Sequence, residues 1–598
     1  MTAVLQPTTE AGSAAPARVR QRPDLPVVAG GLCAGLAFLV WGLPVTHGRG
    51  GRDAWVLALG LLSVLPGLLV LQPWRSIPPR QVAVAMAPAL AALVVCLTAP
   101  TQWDGLDETA ALAYAGGLFL VVRAFAVDSQ RRCVVLVGLA LVGLEQFTQA
   151  YLPWWGGGTV SRLMVGTFYW HNQFSAFMLG TGIVAGVLAV RGTGAVRLAG
   201  WLTAPWCLAA LLFAGSRAGL ATFVVVWTVV AALSFRDRRG RRAVLGVLLA
   251  ALGVATLLTS PQLMDDSGWF TSTVQAREAD QGVEGNGRAR LQLWQAALRL
   301  GLDHASTGAG FDSFGGAGSA RMPAGAGLSV FAHNGYLQAF SDGGLLLLGA
   351  VLLATGLPMA AALRLMSSSR RLRGNDVVGI AVPAALLALV LHTGVDFDWV
   401  YPSLVALFAI LAALVPSCPG GDGLPHRRTP GQALVGVIVV LFVAAAVPAA
   451  LRASALQAPA AERPAWTRAA AMGLPLSGAV DRLPATSLCK RKLTSPHPAE
   501  LRHGLRCTAR AAQDDPGLAL LRARALVRLG QRDRALDLAR TVVRRFVTDR
   551  PSVRMLYADV LRESGRAAAA RRQLLALQRD LQSRGLPTDA VDQALTGS

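Results

Sequence analysis

Long apolar runs, each about long enough to cross a bilayer and separated by short connectors rich in arginine, restrict this chain to few folds. Roughly 20 apolar residues, rising 1.5 Å each, span the hydrocarbon as a helix. Thirteen such runs fall at about 25–44, 54–72, 81–99, 110–126, 133–150, 171–190, 198–214, 218–235, 243–260, 344–364, 377–395, 403–416 and 433–451. Only 15% of the residues are charged, against about one quarter in an average soluble protein. The mean hydropathy is +0.46. The expected fold class is all-α, a polytopic helical membrane protein with 25–451 as its transmembrane domain.

Arginine in the connectors sets the expected orientation. QPWRSIPPR, VDSQRR, RGTGAVR, RDRRGRR, SSSRRLRGN and the stretch containing HRR alternate with segments such as TQWDGLDET and DFDWVYPS, which carry acids and aromatics. Only THGRGGRD breaks the pattern. Residues 1–24 then form a cytoplasmic arm, with Arg18, Arg20 and Arg22 ahead of a first run kept as an anchor. An odd number of spans places residues 452–598 outside, together with the loop 261–343. The expected location is the cytoplasmic (inner) membrane. The net charge of +22 is spread between spans and along the tail, which fits topology and argues against nucleic acid as a partner.

The loop 261–343 holds one amphipathic stretch, in which Leu291, Trp294, Leu298 and Leu302 recur at helical spacing. The tail opens with a Pro/Ala-rich linker, 452–510, and continues as a helical region, 511–598. There LRARALVRLGQRDRALDLA and LYADVLRESGRAAAARRQL align 35 residues apart, pairing Ala523 with Ala558, Leu526 with Leu561, Gly530 with Gly565 and Ala535 with Ala570. This pattern resembles tetratricopeptide repeats. Two such units are marginal alone, so a third, degenerate pair or docking onto the loop is expected. Cys489 and Cys507 stand apart in the tail and can pair if it faces an oxidising compartment. No C-x-x-C spacing suggests zinc.

Candidate chemistry gathers at the outward-facing ends of the runs. His333, Asn334 and Tyr336 end the long loop where the chain enters an apolar helix, and imidazole, with an unperturbed pKa of ~6.5, suits proton transfer near neutral pH. Arg162 precedes an aromatic stretch leading to His171 and Asn172, Arg217 sits in a Gly-Ser-Arg turn between runs, and Arg288 and Arg290 precede Trp294. Guanidinium forks suit phosphate because they donate in parallel pairs and stay charged. Singly, each arginine reads as an anchor to headgroups; together, three arginines and a histidine on one side of the membrane read as a pyrophosphate site with a nearby base. His392 and Asp396, four apart, read as a packing pair on one helical face. His304 reads as structural, and Glu145 as a helix contact or cavity residue. Asp104, Asp107 and Glu108 form an acidic outer loop that could hold a metal.

The same stretches carry a resemblance. In the order R…GTF…N…A, SR.GL, R…W..AL…H…G.G…F and HN.YLQ….G..GL, followed by residues 391–411, the chain resembles the O-antigen ligase and polysaccharide polymerase family of membrane glycosyltransferases over roughly 110–415. The resemblance implies metal-independent transfer of a glycan from a polyprenyl diphosphate (undecaprenyl diphosphate) carrier to an acceptor hydroxyl, without a cofactor and with inversion. It implies His333 as the base, Arg162, Arg217, Arg290 or Arg288 on the diphosphate, and Asn334, Tyr336 and Asn172 in support. Asp342 stands where the family more often has glutamate. The acceptor would be a glycan, lipid or protein, among membrane lipids, with an envelope protein as a further partner of the tail. Rival readings are a transporter of an anionic envelope substrate and a membrane-anchored repeat scaffold.

Overall fold

The computed structural model describes residues 64, 67–69, 71–73, 76–99, 105–155, 163–166, 168, 170–235, 238–264, 283–322, 329–367, 376–415, 486–509, 511–513, 515–545, 551–583 and 588–596. Among them all regular structure is helical. The membrane portion comprises α1 (Pro79–Thr98), α2 (Leu106–Phe125), α3 (Ser129–Trp155), α4 (His171–Arg191), α5 (Gly194–Ala214), α6 (Arg217–Ser234), α7 (Arg238–Met264), α9 (Gly335–Ser367), α10 (Val378–Thr393) and α11 (Pro402–Ala413). Eight of these are long and apolar enough to cross a membrane, and α10 and α11 add two shorter apolar helices. The protein is a multi-pass membrane protein. The expected runs 25–44 and 433–451 lie outside the described residues, as does nearly all of 54–72 and the arm 1–24.

α4 sits at the centre. It is buried along its length and packs against α3, α5, α6, α7 and α10. Its sequence has no polar face because no face meets solvent. α10 is apolar and largely buried in the same way. α11 covers only about 18 Å at 1.5 Å per residue.

The loop's helix, α8 (Val283–Asp303), buries Leu293, Ala296, Ala297 and Leu300 against Phe314, Ala317 and Met322. This corrects the apolar face expected from sequence: Leu291, Leu298 and Leu302 are exposed, and Trp294 is partly buried beside the core. Small residues make the close face here, which a search for large side chains passes over.

α9 is one helix with a break. Gly344 has φ +60° and ψ −157°, so the amides of Leu345 and Leu346 cannot reach back one turn. A segment of the loop replaces those bonds. Leu345 and Leu346 donate to the carbonyls of Ala305 and Ser306, while Ala309 and Gly310 donate to those of Ser341 and Asp342. Gly308, with φ +70°, lies so close to the Asp342 carbonyl that a Cβ would collide with it. The amides of Leu345 and Leu346 and the carbonyls of Ser341 and Asp342, each worth about 1–3 kcal/mol if buried and unpaired, are thus satisfied. Asp342 itself accepts both hydrogen bonds of the Gln338 amide, at 3.0 and 2.9 Å.

In the tail, α14 (Pro516–Arg528) pairs with α15 (Arg532–Arg545), and α16 (Pro551–Glu563) with α17 (Ala567–Ser583), followed by α18 (Asp589–Thr596). Gly530 and Gly565 take φ +79° and +82°, and each closes its helix with the same two bonds: Gly530 to Val527 and Gln531 to Leu526, Gly565 to Arg562 and Arg566 to Leu561. Ala523, Ala535, Ala558 and Ala570 are buried between the helices. The stretch 452–510, expected as linker, carries two helices in its second part, α12 (Thr486–Leu493) and α13 (Pro498–Cys507), joined by a Cys489–Cys507 disulfide. Asp515, which caps α14 by accepting from the Leu518 amide at 3.0 Å, also lies 3.6 Å from Lys490 Nζ and packs on Gly316 in the loop's π-helical turn Phe314–Gly318. The tail therefore docks on the loop, at the same end of the bundle.

Replacing Gly308 by alanine should lower the midpoint of thermal unfolding in detergent by several degrees, equivalent to about 2–3 kcal/mol. Gly349→Ala, in the same α9 but with open space around its Cβ position, serves as the control and should change little.

Candidate functional site

Asn334 starts α9. Its Oδ1 accepts from the amides of Tyr336 and Leu337, both at 3.0 Å, and its Nδ2 donates to the Gly394 carbonyl at 2.7 Å. One side chain thus caps α9 and fastens it to the end of α10. His333, just before the cap, takes φ +50°, a left-handed conformation uncommon outside glycine and costing of order 1–3 kcal/mol. Its carbonyl accepts from Trp294 Nε1 on α8 at 3.0 Å, and its ring stands edge-on to Phe397, 4.8 Å between centroids. Phe397 in turn stacks on Phe331 at 4.3 Å. Backbone and ring are fixed from three directions.

The fixed imidazole meets Asp396, a carboxylate with no exposed surface in the turn between α10 and α11. Asp396 Oδ2 accepts from Asn172 Nδ2 at 2.7 Å, and Oδ1 from Gln173 Nε2 at 3.1 Å and from the Phe397 amide at 2.9 Å. Arg290 Nη2 lies 3.5 Å from Oδ2, and His333 Nδ1 3.4 Å from Oδ1. These last two are ion-pair distances, longer than the ~2.8 Å of a tight charge-assisted bond. Arg290 Nη1 also donates to the Val395 carbonyl. Burial favours the neutral acid, but the donor and charge of His333 and the charges of His392 and Arg290 outweigh it and hold Asp396 down at about 2.

The expected His392–Asp396 pair does not form. α10 ends at Thr393, so Asp396 leaves the helical face on which a four-residue spacing would have aligned it. His392 Nδ1 instead meets Asp398 Oδ2 at 2.7 Å, and Thr393 Oγ1 donates to the same oxygen at 3.1 Å. Burial holds Asp398 above the ordinary carboxylate range, against the opposing charge and hydrogen bond of His392. Two carboxylates two residues apart are thus pushed in opposite directions.

The structure brings together Arg290, His333, Asn334 and Asn172 from the residues singled out in the sequence, and adds Asp396 and Gln173. Of the neighbouring pair, Arg290 reaches the carboxylate and Arg288 is exposed on another face of α8. Tyr336 lies at the rim of the cluster, its hydroxyl 3.5 Å from the Val390 carbonyl. Arg217 opens α6, whose first turn is capped by Ser216 Oγ accepting from Gly219. His171 Nδ1, 3.0 Å from the Ala214 carbonyl, ties that turn to the start of α4. Arg217 is therefore at the same end of the bundle as the cluster, exposed, and without a hydrogen bond or ion pair among the described residues. Arg162 and Asp104 lie outside the described residues.

Residues 202–352, from α5 to the middle of α9, match the family model for O-antigen ligase. The chain carries an O-antigen ligase domain. Comparison with curated proteins found no match. The family match supports reading the protein as an O-antigen ligase-like or polymerase membrane enzyme. The match includes Arg217, Arg288, Arg290, His333, Asn334 and Tyr336. Asn172, Gln173 and Asp396 lie beyond it and join the ligase domain only through the fold. The sequence signal for Asp396 is a helix stop, Gly394, ahead of an acidic and aromatic stretch that ends at Pro402.

Removing the Asp396 charge while keeping its shape, as in Asp396→Asn, should cost about 3–5 kcal/mol, because Arg290 and His333 lose their buried partner. Since its folded pKa lies below the unfolded value, the stabilisation is complete above about pH 4 and lost as pH falls towards 2. Thermal unfolding from pH 2 to 6 should show wild type and variant converging only in that acid window.

Proposed function

We propose that the protein transfers a glycan from a polyprenyl diphosphate carrier to an acceptor hydroxyl, on the face of the cytoplasmic membrane remote from the cytoplasm. The observation that carries this reading is the contact between His333, within the stretch that matches the O-antigen ligase model, and Asp396 beyond it: a buried carboxylate on one ring nitrogen of an imidazole whose side chain is 22% exposed. Asp396 faces Nδ1, so Nε2 is the atom left to take a proton from the acceptor hydroxyl. The hydroxyl oxygen bonds to the anomeric carbon as the bond from that carbon to the diphosphate breaks. The electron pair leaves with the diphosphate, the proton goes to Nε2, and Asp396 stabilises the imidazolium. A single displacement of this kind inverts the anomeric centre.

Arg217, exposed and uncommitted among the described residues, is the guanidinium suited to receive the diphosphate, with Arg162 and Arg288 in the same role. Arg290 divides its donors between Asp396 and a carbonyl, so its part is to hold the carboxylate, and through it His333, beside the diphosphate. No step needs a metal or cofactor. The alternating arginines of the connectors and the Cys489–Cys507 disulfide both support placing loop and tail in an oxidising compartment outside the cytoplasm. The two glycine-turned helix pairs support the tetratricopeptide-like reading of 511–598, with the disulfide-linked α12–α13 as an additional pair, and the tail as a docking module for acceptor or envelope partner.

His333→Ala should lower transfer by at least a hundredfold in a purified assay with lipid-linked glycan and acceptor, with wild-type insertion and folding. Arg217→Gln should chiefly raise the KM for the diphosphate carrier. Near-wild-type turnover in His333→Ala would remove the proposed base, and retention of anomeric configuration in the product would remove the single displacement.

A further inference from the structure

At the end of the bundle away from Asp396, α1, α2, α9 and α11 enclose a groove of about 450 Å³ that the transfer chemistry does not use. Its walls come from the first half of α1, the second half of α2, the far half of α9 and α11, and Trp399, three residues from Asp396, also lines it. The lining is chain-like and apolar, with Val84, Leu112, Phe119, Val351 and Phe408 among its residues, and Leu357 at its rim is 52% exposed. The volume is many times that of one water and falls in the range that holds a ligand.

The mouth is cationic. Arg80 and Arg123 both line it. Arg80 is exposed, with no hydrogen bond or ion pair among the described residues, and the first turn of α1 around it contains no acid. Arg123 is anchored in place, donating from Nη1 to the carbonyls of Ala413 and Val415 at the end of α11. The amino end of α1 adds its own partial positive charge. Gln81, next to Arg80 and also lining the groove, has its Oε1 buried with no hydrogen-bond partner among the described residues.

We propose that this groove is a phospholipid site, holding one acyl chain of an anionic, glycerol-headed lipid from the leaflet opposite the Asp396 cluster. Its phosphate lies between Arg80 and Arg123, and a headgroup hydroxyl donates to Gln81 Oε1. The charge decides the occupant. A polyprenyl chain entering from the catalytic end would need no cations at the far mouth, and a zwitterionic lipid would bring a positive charge to two guanidinium groups. The site is independent of the transfer reading, since none of its residues belongs to the His333 cluster.

Native mass spectrometry of the full-length protein in detergent, with equimolar phosphatidylglycerol, phosphatidylethanolamine and a polyprenyl phosphate, tests it. Phosphatidylglycerol should be retained several-fold more. Arg80→Gln, at an exposed position, should weaken that retention roughly fivefold, the worth of one arginine near an anionic surface. Ala354→Phe, which fills the groove, should abolish it while leaving the melting temperature within a few degrees. Equal retention of the two lipids, retention unchanged in Arg80→Gln, or an Ala354→Phe-sensitive adduct formed by polyprenyl phosphate in place of phosphatidylglycerol would each overturn the proposal.

Discussion

A carboxylate buried at the end of a helical bundle costs several kcal/mol unless cations and donors surround it. Asp396 meets that demand with Asn172 and Gln173 from α4, the Phe397 amide, Arg290 from α8 and His333 from the start of α9. Those partners come from positions more than 200 residues apart in the chain. Satisfying one charge therefore fixes where the core helix, the loop helix and the histidine stand relative to one another. The exposed edge of His333 is a consequence of that requirement, and the ligase chemistry proposed here depends on it.

A second constraint holds the same region from the other side. The break at Gly344 would leave carbonyls and amides of α9 unpaired, and residues 305–310 supply both sets of partners. The loop cannot swing away from α9 without exposing those groups. Together with the cap at Asn334 and the indole of Trp294 on the His333 carbonyl, this sets the imidazole on a rigid support. The docked tail adds a further tie through Asp515 at Gly316. Proximity catalysis needs such fixation, because small displacements of a base are expensive in rate.

Much of this was legible in the sequence, for identifiable reasons. Spans announce themselves through hydropathy, and the glycines at 530 and 565 through a repeat whose turn needs positive φ. His333, Asn334 and Arg290 stood out because polar groups at the lip of an apolar run have few bland roles. What was hidden is non-local. His392 and Asp396 look like a helical pair until the helix stops at Thr393 and hands His392 to Asp398. The pairing of 305–310 with the α9 break leaves no periodic trace, only glycines at 308, 343 and 344. α8 buries alanines while its leucines stay exposed, so the largest side chains marked the wrong face.

A double-mutant cycle on the transfer rate tests the coupling between Asp396 and His333 most directly. If the carboxylate acts by orienting and stabilising the imidazole, Asp396→Asn should slow wild type severely yet have little further effect once His333 is alanine. Independent, additive losses in the double variant would mean that Asp396 only holds the bundle together, and the proposed base would lose its partner.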